Sequence, residues 1–254
     1  MNNKSIYVAI SNQKGGVGKS AFTTLAASYL HYAGGKNVAV IDCDYPQHSI
    51  YAMRERDKSF VMANDRLKVM ATAQFQELNK KAYPVFTVKP EEALEYARKY
   101  LEETELKIDV VFFDLSGTVS SPGILQLMLN MDYIFCPITT DRLVMQSSLT
   151  FASIIRDCLT KHSTSPLKEF YLFWNQLVKN ENRAVYDAYC AIIEQLNLKV
   201  LKTEIPFTIK YKREMSANGK QIFRSTLFPP DSALIKGTCL DDLIEEICQI
   251  IKLQ

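Results

Sequence analysis

The amino-acid sequence predicts an α/β fold, a mostly parallel sheet with helices on both faces. Three observations carry this. Short runs rich in Val, Ile and Phe alternate with longer helix-patterned stretches along the chain. Those short runs are apolar throughout rather than every second residue, as expected of strands buried on both faces. A strand–loop–helix–strand unit fills residues 5–42. Such a unit makes a right-handed crossover between parallel strands.

Residues 5–11 (SIYVAIS) read as the first strand, short and β-branched. A glycine-rich turn at 13–18 follows, then a helix from about residue 19 to 33, stopped by Gly34-Gly35. The second strand is 37–42 (NVAVID), and 47–58 reads as a helix. Residues 59–88 carry no clear period apart from a strand near 85–88. Residues 90–107 predict a surface helix with proline at its start and acidic residues early. It offers Glu95–Lys99 and Glu103–Lys107 pairs one turn apart. Residues 108–115 (IDVVFFDL) form a strongly apolar strand. Helices are expected near 122–131, 143–160, 182–197 and 233–252, with strands at 133–138, 169–174 and 200–205.

Composition narrows the function classes without choosing one. The chain has 254 residues, 47% hydrophobic and 23% charged, which argues against disorder and fibrous repeats and fits one domain spanning 1–254. Lys and Arg number 30 against 28 Asp and Glu, so the net charge of +2 does not advertise a nucleic-acid binder. The six cysteines form no CxxC pair and no zinc-spaced cluster with histidine. Without a secretory leader pattern they read as reduced thiols of a cytoplasmic protein. No apolar run is long enough for a transmembrane helix.

The most informative segment is Lys14-Gly15-Gly16-Val17-Gly18-Lys19-Ser20, lying between a strand and a helix. Glycines there let successive backbone N–H groups turn inward, and the helix N-terminus adds its partial positive charge. Together they cradle phosphate. Lys19 is placed to reach β- and γ-phosphates, and the Ser20 hydroxyl to ligate Mg²⁺. Ala21 continues the cradle into the helix. The usual first glycine of such a loop is replaced by Gln13, and a second lysine, Lys14, precedes the glycines. If two subunits met face to face, Lys14 could act on the partner's nucleotide.

Three acidic residues at two strand ends fit the same chemistry. Asp42 and Asp44 end the second strand, and Asp114 ends the most apolar one. Ligands of open parallel sheets bind beyond the carboxyl ends of strands. Two acids at a strand end are by themselves often a turn signal; beside a phosphate loop they suit Mg²⁺-bound water or an attacking water. An acid after four buried apolar residues is costly without a cation, which a hydrated Mg²⁺ supplies. Ser116-Gly117 follows Asp114 and could serve as a switch that senses the γ-phosphate.

These motifs, in this order, resemble the ParA/MinD family of P-loop ATPases within the SIMIBI class of nucleotide-dependent dimers. KGGVGKS resembles the family's deviant Walker A, with Lys14 as its signature lysine. IDCDYPQHS resembles the DxDPQ motif, whose second Asp, here Asp44, is linked to hydrolysis. FFDLSG resembles the Walker B and switch segment through Asp114. The strand at 131–138 is similar to the family's "ADYVLIPV", Phe173-Trp174-Asn175 to the strand ending in an adenine-contacting Asn, and Ile205-Pro206 to the strand leading to the cover over the base. Tyr45 is inserted relative to DxDPQ, and residues 59–105 resemble nothing in the family. The chain is similar to small ParA-type partition proteins and to TraA-like homologues of Bacteroidetes conjugative elements.

The resemblance implies a three-layer P-loop NTPase fold, ATP and Mg²⁺ as cofactors, and an ATP-dependent homodimer. It implies slow hydrolysis stimulated by a ParB-like or conjugation-system activator protein, with Lys14, Lys19 and Asp44 catalytic and Asn175 and Pro206 at the base. In ParA the ATP-bound dimer binds DNA without sequence specificity. The candidate patch is Lys210, Lys212, Arg213, Lys220 and Arg224, equally readable as a solvated face, and DNA binding would make the protein nucleoid-associated. A MinD-like positioning ATPase acting on a protein complex or a membrane surface is the alternative. The terminal stretch 240–252 is amphipathic, but its polar face is acidic and suits core packing better than an anionic membrane.

Overall fold

A computed structural model describes residues 4–117, 122–161, 165–179, 183–216 and 221–253. Among them are seven strands: β1 (Ile6–Ile10), β2 (Val38–Asp42), β3 (Val85–Thr87), β4 (Val110–Asp114), β5 (Tyr133–Ile138), β6 (Glu169–Trp174) and β7 (Lys199–Val200). They form one sheet in the order β3-β2-β4-β1-β5-β6-β7, and every pairing is parallel. The helices are α1 (Lys19–Tyr32), α2 (Ser49–Ala63), α3 (Asp65–Leu78), α4 (Ala93–Glu103), α5 (Pro122–Leu129), α6 (Arg142–Lys161), α7 (Arg183–Gln195), α8 (Ser232–Ile235) and α9 (Leu240–Ile251).

Strand side chains alternate between two buried clusters, which is why the strands carry no polar stripe. Val8, Ile10, Val40, Phe112 and Phe135 face α1 and α9. Ala9, Ile41, Phe113, Ile134 and Cys136 face α4, α5 and α6. Each fully buried aliphatic side chain contributes roughly 1.5–3 kcal/mol relative to exposure. The apolar stripe of α9 (Leu243, Ile244, Ile247, Ile251) is spent inside the first cluster rather than offered to a surface. No helix among the described residues is long and apolar enough to cross a membrane.

The chain leaves β1 toward β2 on one side, while β5 flanks β1 on the other. Where strand order reverses, the loops diverge and open a crevice beyond the carboxyl ends. The phosphate loop, Asp44, Asp114 and Asn175 all lie on that edge.

Several expectations need correction. The helix expected at 47–58 runs Ser49–Ala63 and is followed by α3, which lies in the stretch that read without a clear period. Only Leu67 and Ala71 are buried on α3, so it shows no wide apolar stripe; its signal is the cap, where Asn64 accepts from the Leu67 amide at 3.1 Å. The helix expected at 90–107 is regular only over Ala93–Glu103, so Lys107 lies beyond it, and Lys99 meets Glu103 at 3.8 Å instead. The strand expected at 200–205 is a two-residue ladder, Lys199–Val200. The single helix expected at 233–252 is two, broken where Gly237 (φ 77°) and Cys239 (φ 56°) take left-handed backbone.

Candidate functional site

The phosphate loop is braced from below by Asn12, a residue the motif did not single out. Asn12 is buried. Its Nδ2 donates to the Pro137 carbonyl and the Ser148 hydroxyl, both at 2.7 Å, while its Oδ1 accepts from the Lys14 amide at 3.0 Å. Gly16 (φ 79°) and Gly18 (φ 95°) occupy left-handed backbone. At Gly18 space matters as well: a Cβ would lie 3.1 Å from the Phe22 ring and 3.2 Å from Asn175 Nδ2. The first turn of α1 contains no acidic residue, so none of its own side chains offsets its partial positive charge.

Lys19 opens α1, and its Nζ donates to the Lys14 carbonyl at 3.1 Å. Burial lowers its pKa, against which Asp114 and then Asp44 pull upward. Lys14 itself is exposed at the rim of the loop. Gly117 packs so closely under the loop that a Cβ there would sit 2.8 Å from the Gln13 carbonyl and 3.5 Å from Lys19 Nζ. The segment after β4 is therefore in direct contact with the phosphate loop, and Ser116 precedes that contact.

The acids divide their work. Asp42 and Asp114 are register partners on neighbouring strands. Asp42 is buried and fully engaged: Oδ2 accepts from the Ile50 and Tyr51 amides at 2.9 and 3.0 Å, and Oδ1 from the Asp44 amide at 3.2 Å. It caps α2 and shapes the turn that presents Asp44. Asp44 is half-buried and lines the cleft. Burial raises its pKa and the Asp42 charge adds, with Lys19 and His48 opposing.

Asp114 is buried, and neither carboxylate oxygen has a hydrogen bond of good geometry. Burial pushes its pKa up to about 7; the neighbouring Ser20 hydroxyl pulls it down, the Asp42 and Asp44 charges raise it, and Lys19 opposes them. An orphaned buried carboxylate beside Lys19 and Ser20 fits a hydrated Mg²⁺. No group of three His, Cys, Asp or Glu side chains able to hold a metal occurs among the described residues. That suits Mg²⁺, which takes one or two carboxylates plus substrate phosphates and keeps several waters.

The orphaned charge has a stability consequence. The Asp114 pKa is about 7 when folded against an ordinary value of 3.8, so the folded chain holds this proton more tightly than the unfolded one. Ionised Asp114 therefore lowers stability above about pH 7, and the loss is relieved as pH falls toward about 4. Asp114→Asn keeps the shape and removes the charge. It is expected to stabilise the nucleotide-free protein by on the order of 2 kcal/mol at about pH 8, a rise in Tm of about 5 °C. Melting curves across pH should show the gain shrinking by about pH 5. Equal melting of both proteins at the higher pH would contradict this account.

At the other end of the cleft, Asn175 is buried at the end of β6. Its Nδ2 donates to the Val17 carbonyl at 2.9 Å, tying β6 to the phosphate loop. Gln176 follows in left-handed backbone (φ 58°), its Nε2 donating to the Gly16 carbonyl at 3.2 Å. Pro206 lies alongside Leu177. One cleft of about 780 Å³ joins Gly15, Gly16, Gly18, Lys19, Ser20 and Ala21 with Asp44, Asn175 and Pro206. Its volume lies in the range of small-molecule and cofactor sites. Val17 is buried behind the loop and presents only its backbone.

The basic stretch 210–224 does not form one free patch. Lys212 and Arg224 line this same cleft. Arg224 is paired with Glu214 and half-buried, and Lys210 Nζ donates to the Lys236 carbonyl at 2.7 Å. Lys212 and Arg213 remain exposed, and Lys220 lies outside the described residues. Sequence reasoning missed Gln176, Arg56 and Glu214 as parts of the cleft, because only the folded chain brings α2 and the stretch after β7 together.

A family model described as "CobQ/CobB/MinD/ParA nucleotide binding domain" matches residues 8–221. No curated protein matches the sequence. Among solved structures, the chain is similar to a plasmid partition protein from Borrelia burgdorferi, 17% identical with 98% of each chain covered and a TM-score of 0.56. It is also similar to the MinC:MinD cell division protein complex of Aquifex aeolicus, 12% identical over 98% of this chain and 97% of that one, TM-score 0.59. A Cyanothece McdA variant in complex with ATP is 14% identical over 98% and 97%, TM-score 0.61. At these identities the likeness concerns the fold.

Proposed function

The chain belongs to the CobQ/CobB/MinD/ParA nucleotide-binding family, and on that premise we propose that it is a partition- or positioning-type ATPase that dimerises around ATP. One observation carries the reading: a single cleft holds the phosphate loop, Lys19, Ser20 and Asp44 beside the orphaned Asp114. Loop amides and Lys19 bind and orient the triphosphate, with Asn175 and Pro206 beside the base. Ser20 and, through water, Asp114 and Asp44 would hold Mg²⁺, which when bound would supply positive charge to offset that of the phosphates. Asp44 orients the attacking water. Lys14, exposed at the rim, reaches the nucleotide of a second subunit, and Ser116-Gly117 transmits the state of the γ-phosphate. Turnover is slow until an activator protein, ParB-like or from a conjugation system, completes the site. A solved relative bound to ATP supports the choice of nucleotide.

For cargo, DNA partitioning or conjugative transfer is the first reading, with nonspecific DNA as the track. The exposed Lys212 and Arg213 are the residues that favour it. The engagement of Lys210 and Arg224 within the protein favours the second reading, a MinD-like ATPase positioned on a protein complex or a membrane surface. Phosphate release in Mg²⁺-ATP, with and without duplex DNA, tests both. With DNA as track, Lys212→Glu/Arg213→Glu is expected to weaken ATP-dependent DNA binding at least about tenfold and to flatten its salt dependence. A double variant that binds DNA as well as wild type removes this patch, and no phosphate release under any condition removes the ATPase reading.

A further inference from the structure

Beyond the phosphate loop, the cleft wall is built from two distant segments. One is α2, which contributes Ala52, Met53 and Arg56; the other runs from Pro206 to Glu214 and returns at Arg224. The second segment includes a short 3₁₀ turn, Ile209–Lys212, which carries Tyr211 and Lys212 into the lining.

Two sets of contacts join the segments. The inner set is buried. Arg54 donates to Thr226 Oγ1 at 2.9 Å, the Thr226 carbonyl at 3.0 Å and the Tyr83 carbonyl at 2.7 Å. Asp57 Oδ2 accepts from the Thr226 amide at 2.7 Å, Thr226 Oγ1 at 2.9 Å and Ser225 Oγ at 3.0 Å. The outer set sits at the cleft itself: the Glu214 carboxylate accepts from Arg56 on one side and Arg224 on the other. Side-chain exposures of 44% for Arg56, 30% for Glu214 and 18% for Arg224 leave this cluster within reach of water and salt. The inner contacts fix the position of α2. The outer ones hold two like charges together through one carboxylate.

We propose that Glu214 is a positioning residue of the cleft: it clamps the 206–214 wall to α2 and so sets how fast bound nucleotide leaves. This rests on the ATP-site reading above. Removing its charge loses two charge-assisted hydrogen bonds and leaves Arg56 and Arg224 facing each other, so the wall parts from α2. A merely structural side chain would not produce the electrostatic pattern that follows.

The test is stopped-flow release of a fluorescent ATP analogue from the full chain with Mg²⁺. Glu214→Gln is expected to release it about fivefold faster than wild type. Salt should speed release from wild type, by screening the clamp, and slow it in Glu214→Gln, by screening the two arginines. Arg56→Gln should also speed release, since Arg56–Glu214 is the pair of this cluster that crosses to α2, but less than Glu214→Gln, because it leaves no two arginines facing each other. Arg56→Gln/Glu214→Gln should release more slowly than Glu214→Gln alone, because the repulsion is gone. Wild-type release rates in Glu214→Gln, or a double variant faster than either single one, would overturn the proposal while leaving the site reading intact. If wild type binds no ATP analogue at all, the site reading fails, and the proposal with it.

Discussion

Lys19→Ala is expected to weaken ATP binding about a hundredfold and to bring phosphate release to background. The magnitude follows from where the charge is held. Lys19 is more than half-buried, and burial lowers its pKa while Asp114 and Asp44 pull the other way. An ammonium kept in so poorly solvated a place gains far more from an incoming triphosphate than a surface lysine, which gives up its own hydration to bind. Its ammonium donates to the Lys14 carbonyl, within the loop that the phosphates would occupy. Lys19→Arg is expected to restore little, because a broad, planar guanidinium does not replace a compact ammonium point charge. The fold should survive: alanine is the best helix former for the first position of α1, and a buried charge is removed. Titration calorimetry with an ATP analogue decides the matter, and affinity within about threefold of wild type would sink the role assigned to Lys19.

The parts of this protein that could be read from sequence are those where chemistry acts locally. The phosphate loop needs glycine for its backbone and lysine beside it, so seven consecutive residues announce it. The central strands are apolar on both faces because helices cover both, and β1, β2, β4, β5 and β6 appear close to where those runs lie. What stayed hidden depends on distant contacts. Helix α3 buries only two residues, so burial leaves little imprint on its sequence. Asn12 looks like any polar residue before a turn until β5 and α6 supply its partners. The cluster of Arg56, Glu214 and Arg224 joins positions 158 residues apart, and nothing local marks it. The stretch 210–224 shows the opposite error. Its run of positive residues looked continuous along the chain, yet two of those side chains turn inward to a carboxylate and a carbonyl.

Asp42 and Asp44 stand two residues apart, and their substitution should have opposite consequences. Asp44→Ala is expected to lower ATP turnover at least about a hundredfold while ATP affinity stays within about threefold of wild type. Asp44 lines the cleft off the phosphate loop, and its carboxylate is not spent on the fold. On the proposed roles, removing it takes away the group that would orient water and one water-mediated hold on Mg²⁺, but none of the donors that would bind the triphosphate directly, and it relieves one negative charge near the phosphates. Lys14→Ala should likewise lose turnover if, as proposed, the exposed Lys14 acts on the nucleotide of a second subunit. The two substitutions together should cost little more than either alone, because both interrupt the same step. Asp42→Ala should instead behave as a folding variant. It leaves the Ile50 and Tyr51 amides of α2 uncapped and unties the turn carrying Asp44, at about 1–2 kcal/mol. Single-turnover hydrolysis, equilibrium binding and thermal melting separate the outcomes. If Asp44→Ala hydrolyses ATP at the wild-type rate, or if Asp42→Ala loses turnover without loss of stability, the division of labour between the two acids is reversed.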